Sequence, residues 1–124
     1  MLTASKRSLK SLGNAGEELV VHYLEKDGFT ILARNYAVRG GEIDIIATKK
    51  DLVVFVEVKT RTSQLFPLSE VITLSKQKKI IFTAQHFLAR NGSLDKVYRF
   101  DVALVEGIDS EITYLPHAFT QTDW

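Results

Sequence analysis

The chain has 124 residues, enough for one domain with a core of its own and no need of cross-links. Its lack of cysteine excludes disulfides and thiolate metal sites, which fits a cytoplasmic protein and leaves carboxylates, histidine or carbonyls to bind any metal. A net charge of +1 neither demands nor forbids a polyanion, and no apolar run approaches the ~20 residues that would span a membrane.

In chain order, residues 1–12 carry Lys6, Arg7 and Lys10 with no signal-peptide core behind them. They read as a mobile basic arm, either a plain disordered terminus or a tail that touches phosphates, ahead of a single domain over 13–124. The spacing of Leu12, Leu19, Val20, Tyr23 and Leu24 predicts a helix from Gly13 to Asp27, stopped by Gly28. A short strand is expected over Phe29–Asn35, a turn at Val38-Arg39-Gly40-Gly41, and a strand over Glu42–Thr48 with Ile43, Ile45 and Ala47 on one face. Lys49-Lys50-Asp51 reads as a hairpin turn. The segment Leu52–Arg61 is the strongest strand, dense in β-branched residues and apolar on both faces over Val53–Val56, as a central strand covered on both sides would be.

Thr62–Leu68 reads as a loop. A second helix is expected from about Thr73–Ser75 to Asn91-Gly92, with Ile80, Ile81, Ala84, Phe87 and Leu88 facing inward, then a strand over Val97–Val105 and a short last strand, Ile112–Leu115, ended by Pro116. Hairpin-linked strands and one helical crossover imply an α/β fold with a mixed central sheet flanked by helices.

Two strands carry acids where hydrophobes are expected. Glu57 and Lys59 share a face at the charged end of the strongest strand, roughly 7 Å apart from the rise per residue. The hairpin turn at 49–51 sets Asp44 opposite position 56 or 57, so two like charges meet in a partly buried place. That arrangement is costly, and a hard divalent cation removes the cost. Mg²⁺ (or Mn²⁺) is held by one or two carboxylates together with substrate phosphate oxygens, so weak binding before substrate is expected. Lys59 would then orient a water or neutralise charge on phosphorus. The plainer alternative is a set of ion pairs, Glu57 with Lys59 and Asp44 with Arg39 or Arg61.

Glu17 lies on the border of the first helix's apolar face, either as a third carboxylate over the sheet or as an acid stabilising a helix N-terminus. Gln77 falls near the centre of the second helix's apolar face and Lys76 at its edge. Arg39, Arg61, Lys76 and Gln77 are candidates for a rim that binds a nucleic-acid backbone, with Lys76, Lys78 and Lys79 also readable as a solvated face. Asp101 reads as structural, paired with Arg99 or capping a neighbour. His22, His86 and His117 show no ligand spacing; His22 reads as exposed and His86 as packed.

The blocks Gly16-Glu17, Asn35, Gly41-Glu42-Ile43-Asp44-Ile45-Ile46-Ala47, Val54-Phe55-Val56-Glu57-Val58-Lys59-Thr60-Arg61, Lys76, Arg99-Phe100-Asp101-Val102 and Ala118-Phe119 resemble the YraN-like family of small bacterial proteins. That family is placed in the PD-(D/E)xK nuclease superfamily and is similar to archaeal Holliday-junction resolvases. The resemblance runs from about residue 13 to 119. It implies a restriction-endonuclease-like αβββαβ core, with Asp44, Glu57 and the Val58 carbonyl as metal ligands, Lys59 as catalytic lysine and Glu17 as supporting acid. It departs at Ile43, where the superfamily's name has proline, and at Ala37, where arginine is usual.

The leading expectation is a Mg²⁺- or Mn²⁺-dependent endonuclease or resolvase acting on DNA, branched or otherwise structured, with a homodimer implied by analogy to resolvases. The alternatives are a nucleic-acid-binding module that does not cut and a protein-interaction domain built around buried ion pairs.

Overall fold

The strand densest in β-branched residues is the axis of the fold. β3 (Leu52–Arg61) lies third in a five-stranded sheet of order β1-β2-β3-β4-β5. Around it are α1 (Ala4–Lys26), β1 (Thr30–Val38), β2 (Gly41–Lys49), α2 (Leu74–Asn91), β4 (Val97–Glu106) and β5 (Glu111–Phe119). The computed structural model describes residues 4–61, 72–91, 96–106 and 109–121. The loop expected at 62–68 lies outside that set.

Neighbouring strands are antiparallel except β3 and β4, which are parallel and joined through α2. A parallel pair needs such a crossover. This is the αβββαβ order expected from the sequence, with the expected last strand, β5, at the edge.

The two faces of β3 feed two cores. Val54 and Val56 pack with Val20, Val21, Leu24 and Phe29 beneath α1. Val53 and Phe55 pack with Ile80, Ile81, Ala84 and Phe87 beneath α2. Both helices come close to the sheet at a glycine. A Cβ on Gly16 would collide with the Thr60 hydroxyl, and one on Gly41 would collide with the Thr83 hydroxyl and the Lys79 carbonyl oxygen.

Three boundaries, one strand face and the setting of one histidine differ from the sequence expectation. α1 starts at Ala4, nine residues before Gly13, so part of the expected basic arm continues the helix. β1 runs on to Val38, beyond Asn35, because Asn35 takes a left-handed φ of 52° without ending the ladder. Asparagine tolerates that conformation better than most residues.

In β2 the expected shared face of Ile43, Ile45 and Ala47 breaks at Ile43. Ile45 and Ala47 face α1, whereas Ile43 joins Ile46 and faces α2. The break lies opposite Asn35, between the pairs Arg34–Ile45 and Tyr36–Ile43. Asn35 has its left-handed φ there, while the register on either side is unshifted.

β5 passes through Pro116 to Phe119. It is an edge strand, where a residue without an N–H is tolerated. The ladder bulges between the pairs Val102–Leu115 and Phe100–Phe119, and His117 has φ 54°. Finally, His86 is exposed beside Phe82 rather than packed inside.

Candidate metal and nucleic-acid site

Asp44 stands where the β2–β3 ladder runs out. The paired positions end at Ile45–Val56. Beyond them, the Asp44 carboxylate oxygen Oδ2 accepts the Val58 N–H at 2.8 Å, in place of a backbone carbonyl. The side chain is thereby drawn toward the end of β3 that bears Glu57.

Glu57 is only 9% exposed, and its carboxyl lies within hydrogen-bonding reach of Asp44. Burial, then the Glu57 charge, then the Glu17 charge push the Asp44 carboxyl up from 3.8 to about 7, against the opposing Val58 N–H. Lys76 Nζ sits 2.9 Å from Glu57 Oε2, while no described cation pairs with Asp44. One acid of the pair is compensated and the other is left to hold a proton or meet a cation.

Glu17 enters from α1, next to the close approach at Gly16. Its Oε1 is buried with no hydrogen-bond partner among the described residues. A first-turn role does not apply, because α1 begins thirteen residues earlier.

A cleft of about 250 Å³ opens at the carboxylates, lined by Gly41, Glu42, Asp44, Glu57, Lys76, Lys79 and Ile80. The sequence places Lys76 at this groove and offers Lys79 only as part of a solvated face. The signal for Lys79 was its spacing, since residues three apart lie on one side of a helix. Glu42 carried a weaker one, lying two residues before Asp44 on the same strand.

The other expected residues are distributed differently. Lys59 is exposed, two residues beyond Glu57 along β3 and so on the same face. Arg39 is exposed in the β1–β2 turn. The Arg61 side chain lies outside the described residues. Gln77 donates from Nε2 to the Ile72 carbonyl at 3.2 Å, so its amide secures the start of α2 and does not line the cleft. Of the ion pairs expected as the plain alternative, Asp44–Arg61 lies outside the described residues, and Glu57 pairs with Lys76.

Among the described residues, no group of three or more His, Asp or Glu side chains is placed to hold a metal ion. The donors that do fit a hard cation are two adjoining carboxylates and an orphaned buried carboxylate oxygen nearby. That set suits Mg²⁺ or Mn²⁺, which take one or two carboxylates and fill the remaining positions with water or phosphate.

A second acidic cluster shows what a structural carboxylate looks like in this fold. Asp101 is fully buried. It accepts from Arg99 Nε at 2.8 Å, Arg99 Nη2 at 2.9 Å, the Tyr114 hydroxyl at 2.5 Å and the His117 N–H at 2.9 Å. Pairing with Arg99 and capping a neighbour, the two expected alternatives, both occur. The hydrogen bond to Asp101 pushes the Arg99 guanidinium up, and burial pushes the Tyr114 phenol up.

A larger hollow of about 720 Å³ lies at the other end of the sheet, by Tyr23, Asp27, Lys49, Leu52, Arg99 and Tyr114. Two of its cations are engaged: Lys49 bonds the Asp27 carbonyl at 2.7 Å and lies 3.8 Å from the Asp27 carboxylate, and Arg99 holds Asp101. None of the expected site residues lines it.

Sheet order and flanking helices define a restriction-endonuclease-like α/β fold. The chain belongs to the uncharacterised protein family UPF0102, whose family model matches residues 16–105, in agreement with the YraN-like resemblance. It is similar to a UPF0102 protein of Alkaliphilus metalliredigens, 43% identical over 112 residues that cover 89% of this chain and 98% of the relative. A Geobacter metallireducens relative is 46% identical over 113 residues, covering 89% and 93%. One from Clostridium perfringens is 42% identical over 119 residues, covering 92% and 98%. No described helix is long and apolar enough to cross a membrane.

Proposed function

We propose that this protein is a divalent-metal-dependent endonuclease that hydrolyses DNA phosphodiesters, with branched DNA among its substrates. The observation that carries the reading is the Asp44–Glu57 pair. Two carboxyls are held together in a largely buried place, one of them pushed to a pKa of about 7. Perturbed acids in a cleft are a mark of working sites.

Asp44, Glu57 and the Val58 carbonyl would hold Mg²⁺ or Mn²⁺, with Glu17 behind them. When bound, such an ion supplies charge neutralisation at the phosphate and lowers the pKa of a water. The chain's own residues do the rest. The Val58 N–H fixes the orientation of Asp44. Lys59, exposed on the same face of β3 as Glu57, would offer an ammonium to the non-bridging oxygens as negative charge builds on them. Lys76 and Lys79, which line the cleft, would attract the backbone, with Arg39 and Arg61 proposed as further contacts. Cutting both strands of a symmetrical branch calls for two copies of the chain, and we propose a homodimer on the substrate.

The test offers linear, supercoiled, single-stranded and four-way-junction DNA with Mn²⁺. At least one is expected to be cut, and Glu57→Gln or Lys59→Met should lower the rate about 100-fold or more while DNA still binds. No cleavage of any substrate at high protein excess would sink the nuclease reading.

A second reading is a binding module that does not cut. It is favoured by the Lys76–Glu57 pair, which compensates Glu57 without a metal. Salt-dependent DNA binding with no metal-dependent cleavage in the wild type would establish it.

A further inference from the structure

The Lys76–Glu57 contact has two unlike partners. The Glu57 side chain is 10% exposed and fixed on the central strand, whereas that of Lys76 is 39% exposed and reaches in from α2. A lysine ammonium is a compact charge on a flexible stem, so it can leave its partner without moving the helix.

The helix itself is pinned just here. Thr73 Oγ1 accepts the Lys76 N–H at 3.2 Å, Gln77 holds the Ile72 carbonyl, and Gly41 admits α2 against the sheet with no room for a Cβ. Any rearrangement at this wall therefore falls to the lysine side chain. A divalent cation on Glu57 would meet the ammonium at a few ångströms in a partly dry cleft, where like charges repel strongly.

We infer that Lys76 is a resident counter-ion of Glu57, displaced when a divalent cation binds and thereby freed to contact the phosphate backbone of bound DNA. This rests on the metal-binding reading above and adds a linkage to it. Metal binding releases a cation for the polyanion, and the polyanion holds that cation away from the metal's ligand. Each partner then tightens the other by the same factor.

The test is a calorimetric titration of the folded protein with Mn²⁺ near neutral pH, for wild type, Lys76→Met, Lys76→Gln and Lys79→Met. Lys79→Met removes the same charge from the same wall but leaves the ion pair intact, so it reports the general electrostatic effect. Both Lys76 variants are expected to bind Mn²⁺ about tenfold or more tightly than wild type, and Lys79→Met by no more than about threefold. The titration is repeated with a phosphorothioate duplex, which resists cleavage. The duplex should tighten Mn²⁺ binding to the wild type and do so much less in Lys76→Met.

Mn²⁺ binding that is unchanged or weaker in the Lys76 variants overturns the counter-ion role and leaves the metal site standing. Equal duplex enhancement in wild type and Lys76→Met overturns the release to phosphate. If none of the four proteins binds Mn²⁺, the metal-binding reading falls and this inference falls with it.

Discussion

Asp44 and Asp101 are both acids on strands, and their surroundings separate their roles. Asp101 is fully buried with four donors on its two oxygens. Asp44 has one N–H and a like charge beside it. The difference predicts opposite outcomes on neutralisation. Asp44 carries its proton in folded and unfolded chains alike below pH 3.8. Between 3.8 and about 7 the folded chain keeps a proton that the unfolded chain has lost, so stability falls as pH rises, and above that the loss is complete. Asp44→Asn keeps an oxygen for Val58 and removes the charge. Above pH 7 and without divalent cations, it should be about 2 kcal/mol more stable than wild type in urea unfolding, with the gap closing in acid. Added Mg²⁺ should raise the wild-type midpoint and leave Asp44→Asn unmoved. The pairing of Asp44 with Glu57 was legible in the sequence, because a two-stranded hairpin fixes which positions meet. The Lys76–Glu57 bond was not, since no spacing rule says how far a side chain on the crossover helix reaches over the sheet.

Among the elements, β3 was the most legible because its run of β-branched residues is apolar on both faces and admits one reading. Strand β2 was misread at one point. Period-two reasoning assumes extended backbone throughout, and Asn35 on the partner strand, opposite the step that bears Asp44, has a left-handed φ. Strand β5 was cut short at Pro116 because the sequence does not announce that this strand lies at an edge. The fit of α2 on β2 depends on Gly41. Gly41→Ala would press a Cβ against the Thr83 hydroxyl and within 2.7 Å of the Lys79 carbonyl oxygen, which cannot swing away. A loss of about 1–3 kcal/mol is expected in urea unfolding. Thr83→Ala in the same chain should recover only part of it, because the backbone clash remains.

Across the whole molecule, the site collects where three elements end or begin, at the charged end of β3, the start of β2 and the first turns of α2, with Glu17 reaching in from the middle of α1. The order of elements fixes that meeting, which explains why the fold class was readable from pattern alone. Val53–Val56 are at most 1% exposed, between α1 on one side and α2 on the other. Their amides should exchange with solvent most slowly, through global opening, whereas β1 amides at the sheet edge should exchange by local fraying. A hydrogen-exchange experiment with fragment resolution checks both. The Asp44–Val58 bond carries a further consequence, for what the chain can forgive. On the proposed reading Glu57 and Lys59 would contribute chemistry without holding a strand in place, while the Asp44 side chain also fastens β2 to β3 through the Val58 N–H. In a library of random variants sorted solely for folded protein, position 44 should therefore keep aspartate or asparagine, and positions 57 and 59 should drift. Under such drift the capacity for chemistry would disappear well before the architecture that housed it.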